Sequence, residues 1–221
     1  MIKLMCNFLD KPINIENMTI LTIENATSFS KIASELYYYS EDMKSLKIFK
    51  LNQENLKTSE VLTIFDILGF NINSTSFLKT VYSELENQIK DNVENRSKYE
   101  KLFYELEDLL REEMVDVDLP LELSSLQFQS LFKAMGIKII VEEENIYKKI
   151  LDIVESMAHF RKSKLICFVN TLAYITAKEI KELKEYISLS QLDVLFLEPR
   201  KVEGFRQALV DEDFVFFENM V

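Results

Sequence analysis

Apolar residues recur along the chain with two different periods, and the change of period marks its organisation. Up to Phe49, short apolar runs at Ile2 to Leu4, Met18 to Ile23 and Leu46 to Phe49 read as strands. Between them Phe29, Ile32, Ala33 and Leu36 keep the spacing of one face of a 3.6-residue helix. This is a βα pattern, and the Asn-Ala-Thr-Ser segment ahead of the helix supplies side chains that can cap its free amides.

From Ser59 helical spacing takes over. Leu62, Phe65 and Leu68 form one stripe, ended by Gly69; Leu78, Val81, Tyr82, Leu85 and Ile89 form a second; Tyr99, Leu102, Phe103, Leu106 and Leu109 form a third. The polar stretch KDNVENRSK between the last two reads as a turn joining antiparallel helices. The α/β texture returns with a strand at Ile137 to Val141, a helix through Ile146, Ile150, Ile153 and Met157, and a strand at Leu165 to Val169. Thr176 with Glu179 is a capping box opening a helix that carries Ile180, Leu183 and Ile187. Strands at Val194 to Leu197 and Phe214 to Phe217 follow. Uninterrupted apolar strands such as LICFV and VLFL are typical of a sheet covered on both faces by helices. The expected architecture is an α/β head, residues 1–57 and 137–221, split by an inserted all-helical leg, residues 58–136.

Composition supports a folded chain. Of 221 residues 48% are hydrophobic, with 16 Phe and 9 Tyr, too apolar for a disordered polymer. The N-terminal MIKLMCNFLDKP is too short for a secretory signal, and no run reaches the roughly 18 apolar residues of a membrane span. A cytoplasmic protein with no membrane association is expected. Cys6 and Cys167 lie in apolar segments and read as buried thiols. The net charge of -11 argues against unselective polyanion binding, although a local basic patch reverses the sign where it matters.

The strand-to-helix junction in TILTIENATSFSKIASELY is where many α/β proteins hold a phosphate. A phosphate loop needs glycines and a lysine, and neither occurs between Ile23 and Phe29. The three glycines, Gly69, Gly136 and Gly204, are far apart and read as turns or helix ends. The strand LICFVN ends in Asn170, a neutral amide where a nucleotide hydrolase would place an acidic magnesium anchor. The lone His159 sits at a helix end beside Arg161 and Lys162, and no Ser, His and Asp set suggests itself.

Two clusters stay open between a bland and a functional reading. The stretch REEMVDVDLPLE, with Glu112, Glu113, Asp116, Asp118 and Glu122, is either a solvated acidic loop or a source of oxygen ligands for calcium. The basic residues of the last third, Lys133, Lys138, Lys148, Lys149, Arg161, Lys162 and Lys164, are either solubilising or aligned along a phosphate backbone.

Several segments carry a resemblance. SEVLTIFDILGFNINSTSFLKTVYSELENQI, LFKAMGIKI and above all EYISLSQLDVLFLEPRKV resemble the Csn-two family, the small adaptation protein of type II-A CRISPR systems, over nearly the whole chain. The resemblance implies a head related to P-loop ATPases that has lost its nucleotide site, and a ring-shaped homotetramer. It also implies calcium as cofactor and double-stranded DNA, preferably at free ends, threaded past lysines. The partners it implies are the CRISPR integrase and the type II effector nuclease, and it ascribes no catalysis. By position it assigns Glu113, Asp116, Asp118, Glu122 and Glu142 to calcium. Lys133 and Lys138 become first choices for DNA contact, followed by Lys149, Lys162 and Lys164. This chain departs from the pattern at Pro120, which interrupts the acidic segment, and at Ile140, where an acidic residue is expected.

The expected function is therefore sequence-independent binding of duplex DNA ends by a calcium-dependent, non-enzymatic tetramer acting in spacer acquisition. A degenerate nucleotide-binding protein and a pure protein-interaction scaffold are the alternatives.

Overall fold

The computed structural model describes residues 1–7, 9–141, 145–159 and 165–220. The chain divides into two compact units: an α/β unit, Met1–Phe70 with Val141–Val221, and a helical unit, Asn71–Ile140.

In the α/β unit, β1 (Ile2–Cys6) pairs antiparallel with β2 (Ile13–Ile15) and β4 (Leu46–Lys50) in a three-stranded sheet. A second sheet has six strands. It runs β5 (Val61–Ile64), β6 (Leu165–Val169), β7 (Val194–Glu198), β3 (Met18–Ile23), β8 (Gln207–Val210) and β9 (Phe216–Met220). All neighbours are parallel except β9, which closes the sheet antiparallel to β8. Strands β6 and β7 are buried along their whole length, as uninterrupted apolar runs require. In their shared register Phe168 faces Phe196, with ring centroids 5.1 Å apart and planes 12° from parallel. Helices α1 (Ala26–Tyr37), α5 (Ile146–His159) and α6 (Ala177–Ser190) belong to this unit and bury the faces that their spacing marks, such as Ile150, Ile153, Val154 and Met157 on α5.

The helical unit contains α2 (Thr75–Asp91), α3 (Val93–Val115) and α4 (Phe128–Ala134). Its core is aromatic: Tyr82, Phe128 and Phe132 are buried, and Leu78, Val81, Leu85, Tyr99 and Phe103 pack against them.

Three local readings change. The Leu62, Phe65 and Leu68 stripe is not a helix, because residues 61–64 form β5, whose Val61 to Ile64 pair in parallel with Leu165 to Phe168. A short apolar run rich in β-branched residues is ambiguous by periodicity alone, and a free sheet edge decided it. The turn expected in KDNVENRSK is there but is shorter than the whole stretch: α2 ends at Asp91 and α3 starts at Val93. Asn92 alone makes the turn, its side chain accepting from the Asn95 amide at 3.0 Å, and Glu94–Lys98 and Arg96–Glu100 pairs brace the new helix. Residues 137–141 are not a strand but an irregular segment. Asn73 occupies the backbone groups of Ile139 that a sheet would need.

Candidate nucleic-acid interface

In the helical unit the aromatic core sets the spacing between α2 and α4. Where they diverge at the surface they leave a pocket of ≈ 270 Å³ lined by Thr75, Leu78, Lys79, Tyr82, Gln129, Ser130 and Lys133. Lys79 comes from α2 and Lys133 from α4, so two lysines and three hydroxyl-bearing residues line one opening. Neither lysine is in an ion pair among the described residues. The nearby acid, Glu86, is already engaged: it pairs with Lys90 at 2.7 Å and accepts from Gln129 at 3.1 Å. These bonds hold its carboxyl below the usual range. The pocket is therefore cationic although the chain is acidic.

Lys138 sits in the irregular segment after α4, and its neighbours are tied to α2. The Tyr82 hydroxyl donates to the Ile137 carbonyl at 2.8 Å. The Asn73 side chain accepts from the Ile139 amide at 2.8 Å and donates to the Ile139 carbonyl at 2.9 Å. Lys138 is exposed between these two anchored residues. Gly136, at φ 68, turns the chain out of α4 into this segment, the left-handed position at which glycine ends helices.

The remaining expected contacts are placed differently. Lys149, on α5, donates to the Leu68 carbonyl at 2.7 Å, so its ammonium is partly spent inside the α/β unit. Lys162, Lys164 and Glu142 lie outside the described residues. Sequence reasoning missed Lys79, which stands beside Leu78 in an apolar stripe and gains meaning only once α2 is packed on α4.

The acidic residues are spread out. Glu113 is exposed near the end of α3, Asp116 caps that helix, Asp118 lies in the bend that follows and Glu122 in the irregular segment beyond. Glu107 draws that segment back to α3 by accepting from the Leu126 amide at 2.7 Å. Among the described residues no three His, Cys, Asp or Glu side chains converge to hold a metal ion. Calcium takes six to eight oxygens, so the described carboxylates of one chain do not by themselves make a calcium cage.

At the carboxyl ends of the parallel strands, where open α/β sheets hold ligands, the chemistry suits a fold more than a phosphate. The turn from β3 into α1 is closed by Asn25, whose side chain accepts from both the amide and the hydroxyl of Ser28 at 3.0 and 3.1 Å. Asn170 follows β6 with φ 52. Glu198, only 3% exposed at the end of β7, accepts from the amides of Thr171 and Leu172, each at 2.9 Å. Burial raises its carboxyl to about 7 against the pull of those two amides. Burial likewise pushes the Cys167 thiol up to about 12, far from a nucleophile. No described helix is long and apolar enough to cross a membrane.

Comparison with known proteins bears on this geometry. The profile of the family described as CRISPR-associated protein (Cas_Csn2) matches residues 38–214. The CRISPR-associated protein Csn2 of Enterococcus faecalis is 38% identical over 208 residues, 94% of either chain. That of Streptococcus agalactiae is 38% identical over 222 residues, the full length of both. A crystal structure of Stu0660 of Streptococcus thermophilus superposes with a TM-score of 0.64 at 16% identity, covering 99% of this chain and 76% of that one. At that identity the likeness concerns the fold. Matched along its full length by such relatives, the chain belongs to the Csn2 family of CRISPR-associated proteins.

Proposed function

We propose that the protein binds double-stranded DNA through its phosphate backbone, without sequence preference, and does so as a homo-oligomeric ring during CRISPR spacer acquisition. The observation that carries this reading is the cationic opening of the helical unit, where Lys79 and Lys133 line one pocket with Lys138 held exposed close by in sequence. Lysines that make no ion pair among the described residues, in a chain of net charge -11, mark a local site for an anion. Their side chains are flexible point charges suited to phosphates, contacts that position a protein on DNA without reading its sequence.

A homotetramer is supported by α3, which exposes Leu102, Leu106 and Leu109 at 58%, 46% and 61%. The finer kinship to P-loop ATPases without a nucleotide site is supported by β3, which runs into α1 through a capped turn. A non-enzymatic, cytoplasmic role beside the CRISPR integrase and effector nuclease accords with family membership.

Mobility shifts with linear and closed-circular duplexes of one sequence test it. Retention of the linear form at moderate salt is expected, and loss of retention in both forms would leave the scaffold alternative.

A further inference from the structure

A second cationic surface lies in the α/β unit, between α6 and the connection from β7 to β8. Lys181, Lys184, Glu185, Ser188 and Leu189 form one wall, and Gly204, Phe205 and Arg206 the other, around a groove of ≈ 660 Å³. Lys181, Lys184 and Arg206 make no ion pair among the described residues, so one acid, Glu185, faces three cations.

The groove differs from the Lys79 and Lys133 pocket in its apolar content. Leu189 is 84% exposed at its edge and the ring of Phe205 is partly open. Gly204 adopts φ +79, and a Cβ built there meets nothing within 4 Å, so the space over this backbone is clear. Cations that follow a backbone, together with an aromatic surface, are the equipment for unpaired nucleic acid, whose bases have free faces to stack. A duplex hides those faces between its base pairs.

We propose that this groove binds single-stranded DNA, with Lys181, Lys184 and Arg206 on phosphates, the Ser188 hydroxyl donating to a phosphate oxygen, and a base laid against Phe205. At a duplex end the ligand is an unpaired overhang. This deepens the DNA-binding reading and uses different residues.

Fluorescence anisotropy with the full-length protein separates the two sites, using labelled oligo(dT), a blunt duplex and the same duplex with a single-stranded tail. Phe205→Ala is expected to weaken oligo(dT) binding by roughly tenfold, the loss of one stacked base. It should abolish any preference for the tailed duplex and leave the blunt duplex unchanged. Lys181→Glu with Lys184→Glu should do the same more strongly, whereas Lys79→Glu with Lys133→Glu should weaken the blunt duplex and spare oligo(dT). All four lysines and Arg206 are exposed, and a circular dichroism melt checks the fold of each variant. Unchanged oligo(dT) affinity in Phe205→Ala overturns the proposal even if duplex binding stands. So does displacement of oligo(dT) by an acidic, leucine-containing peptide with an affinity above that of the DNA itself, which would make the groove a protein-docking site. Failure of blunt-duplex binding alone would count against the broader reading and not against this one.

Discussion

The carboxylate of Glu198 accepts the backbone amide of Thr171 at 2.9 Å, tying the end of β7 to the loop that leaves β6. The same oxygen accepts from Leu172, so a buried acid organises the carboxyl edge of the sheet. Burial costs the ionised form more than these two bonds return, and the carboxyl rises from 4.5 to about 7.

That displacement fixes a pH dependence. Between its ordinary value and about 7 the folded protein holds a proton that the unfolded chain has released. Glu198 therefore contributes its full stabilisation below the unfolded value, and that contribution is lost as pH rises through about 7, a change on the order of 3 kcal/mol. Glu198→Gln keeps an acceptor for both amides and cannot ionise. The stability difference between wild type and Glu198→Gln, from denaturant melts, should move in favour of the variant from about pH 5 to about pH 8. A constant difference across that range would show that Glu198 does not titrate there.

How much of this was legible depends on range. The strands β6 and β7 and the capping box at Thr176 are written in contiguous residues, and the box is present, with the Thr176 amide donating to Glu179 at 2.7 Å. Strand β5 was not legible, because Val61 to Ile64 become a strand only through the partner that β6 provides about a hundred residues later in the chain. Lys79 was hidden for the same reason: its relation to Lys133 spans two helices. The role of Glu198 was equally out of reach. An acid closing an apolar strand looks like any solvent-facing end until the amides of Thr171 and Leu172 are seen to converge on it.

Asn73 should control DNA affinity without carrying charge. Its side chain makes both hydrogen bonds to Ile139 that keep the segment around Lys138 against α2. Asn73→Ala leaves a partly buried amide and carbonyl without that partner, at a cost of about 1–3 kcal/mol. Amide exchange at residues 137–139 should accelerate, and duplex binding should weaken at unchanged net charge. Faster exchange with undiminished DNA affinity would remove Lys138 from the interface.

The paired lysines make a sharper electrostatic claim. Each phosphate contact adds about 0.9 to the slope of log affinity against log salt. Lys79→Glu with Lys133→Glu should therefore flatten that slope by about 2 and weaken all duplex sequences alike. A loss confined to one sequence would point to base contacts instead. An unchanged slope would show that the pocket is not used.

Helix α3 has two apolar faces with different duties. Tyr99 and Phe103 turn inward onto Phe128, with ring centroids 5.5 and 5.0 Å away, and complete the core of the helical unit. Leu102, Leu106 and Leu109 are left exposed on a helix with no buried residue. Burial of such leucines against another copy would contribute about 1.5–3 kcal/mol each. Replacing Leu106 and Leu109 with Glu should then weaken self-association by at least about 100-fold. The melting temperature of the dissociated chain should hardly change, since neither side chain belongs to the Tyr82, Phe128 and Phe132 core. Sedimentation velocity reads the result: a shift to slower species with an intact circular dichroism spectrum assigns α3 to the assembly interface. An unaltered sedimentation coefficient would move that interface to the α/β unit, where Tyr37 and Tyr38 form an exposed aromatic pair.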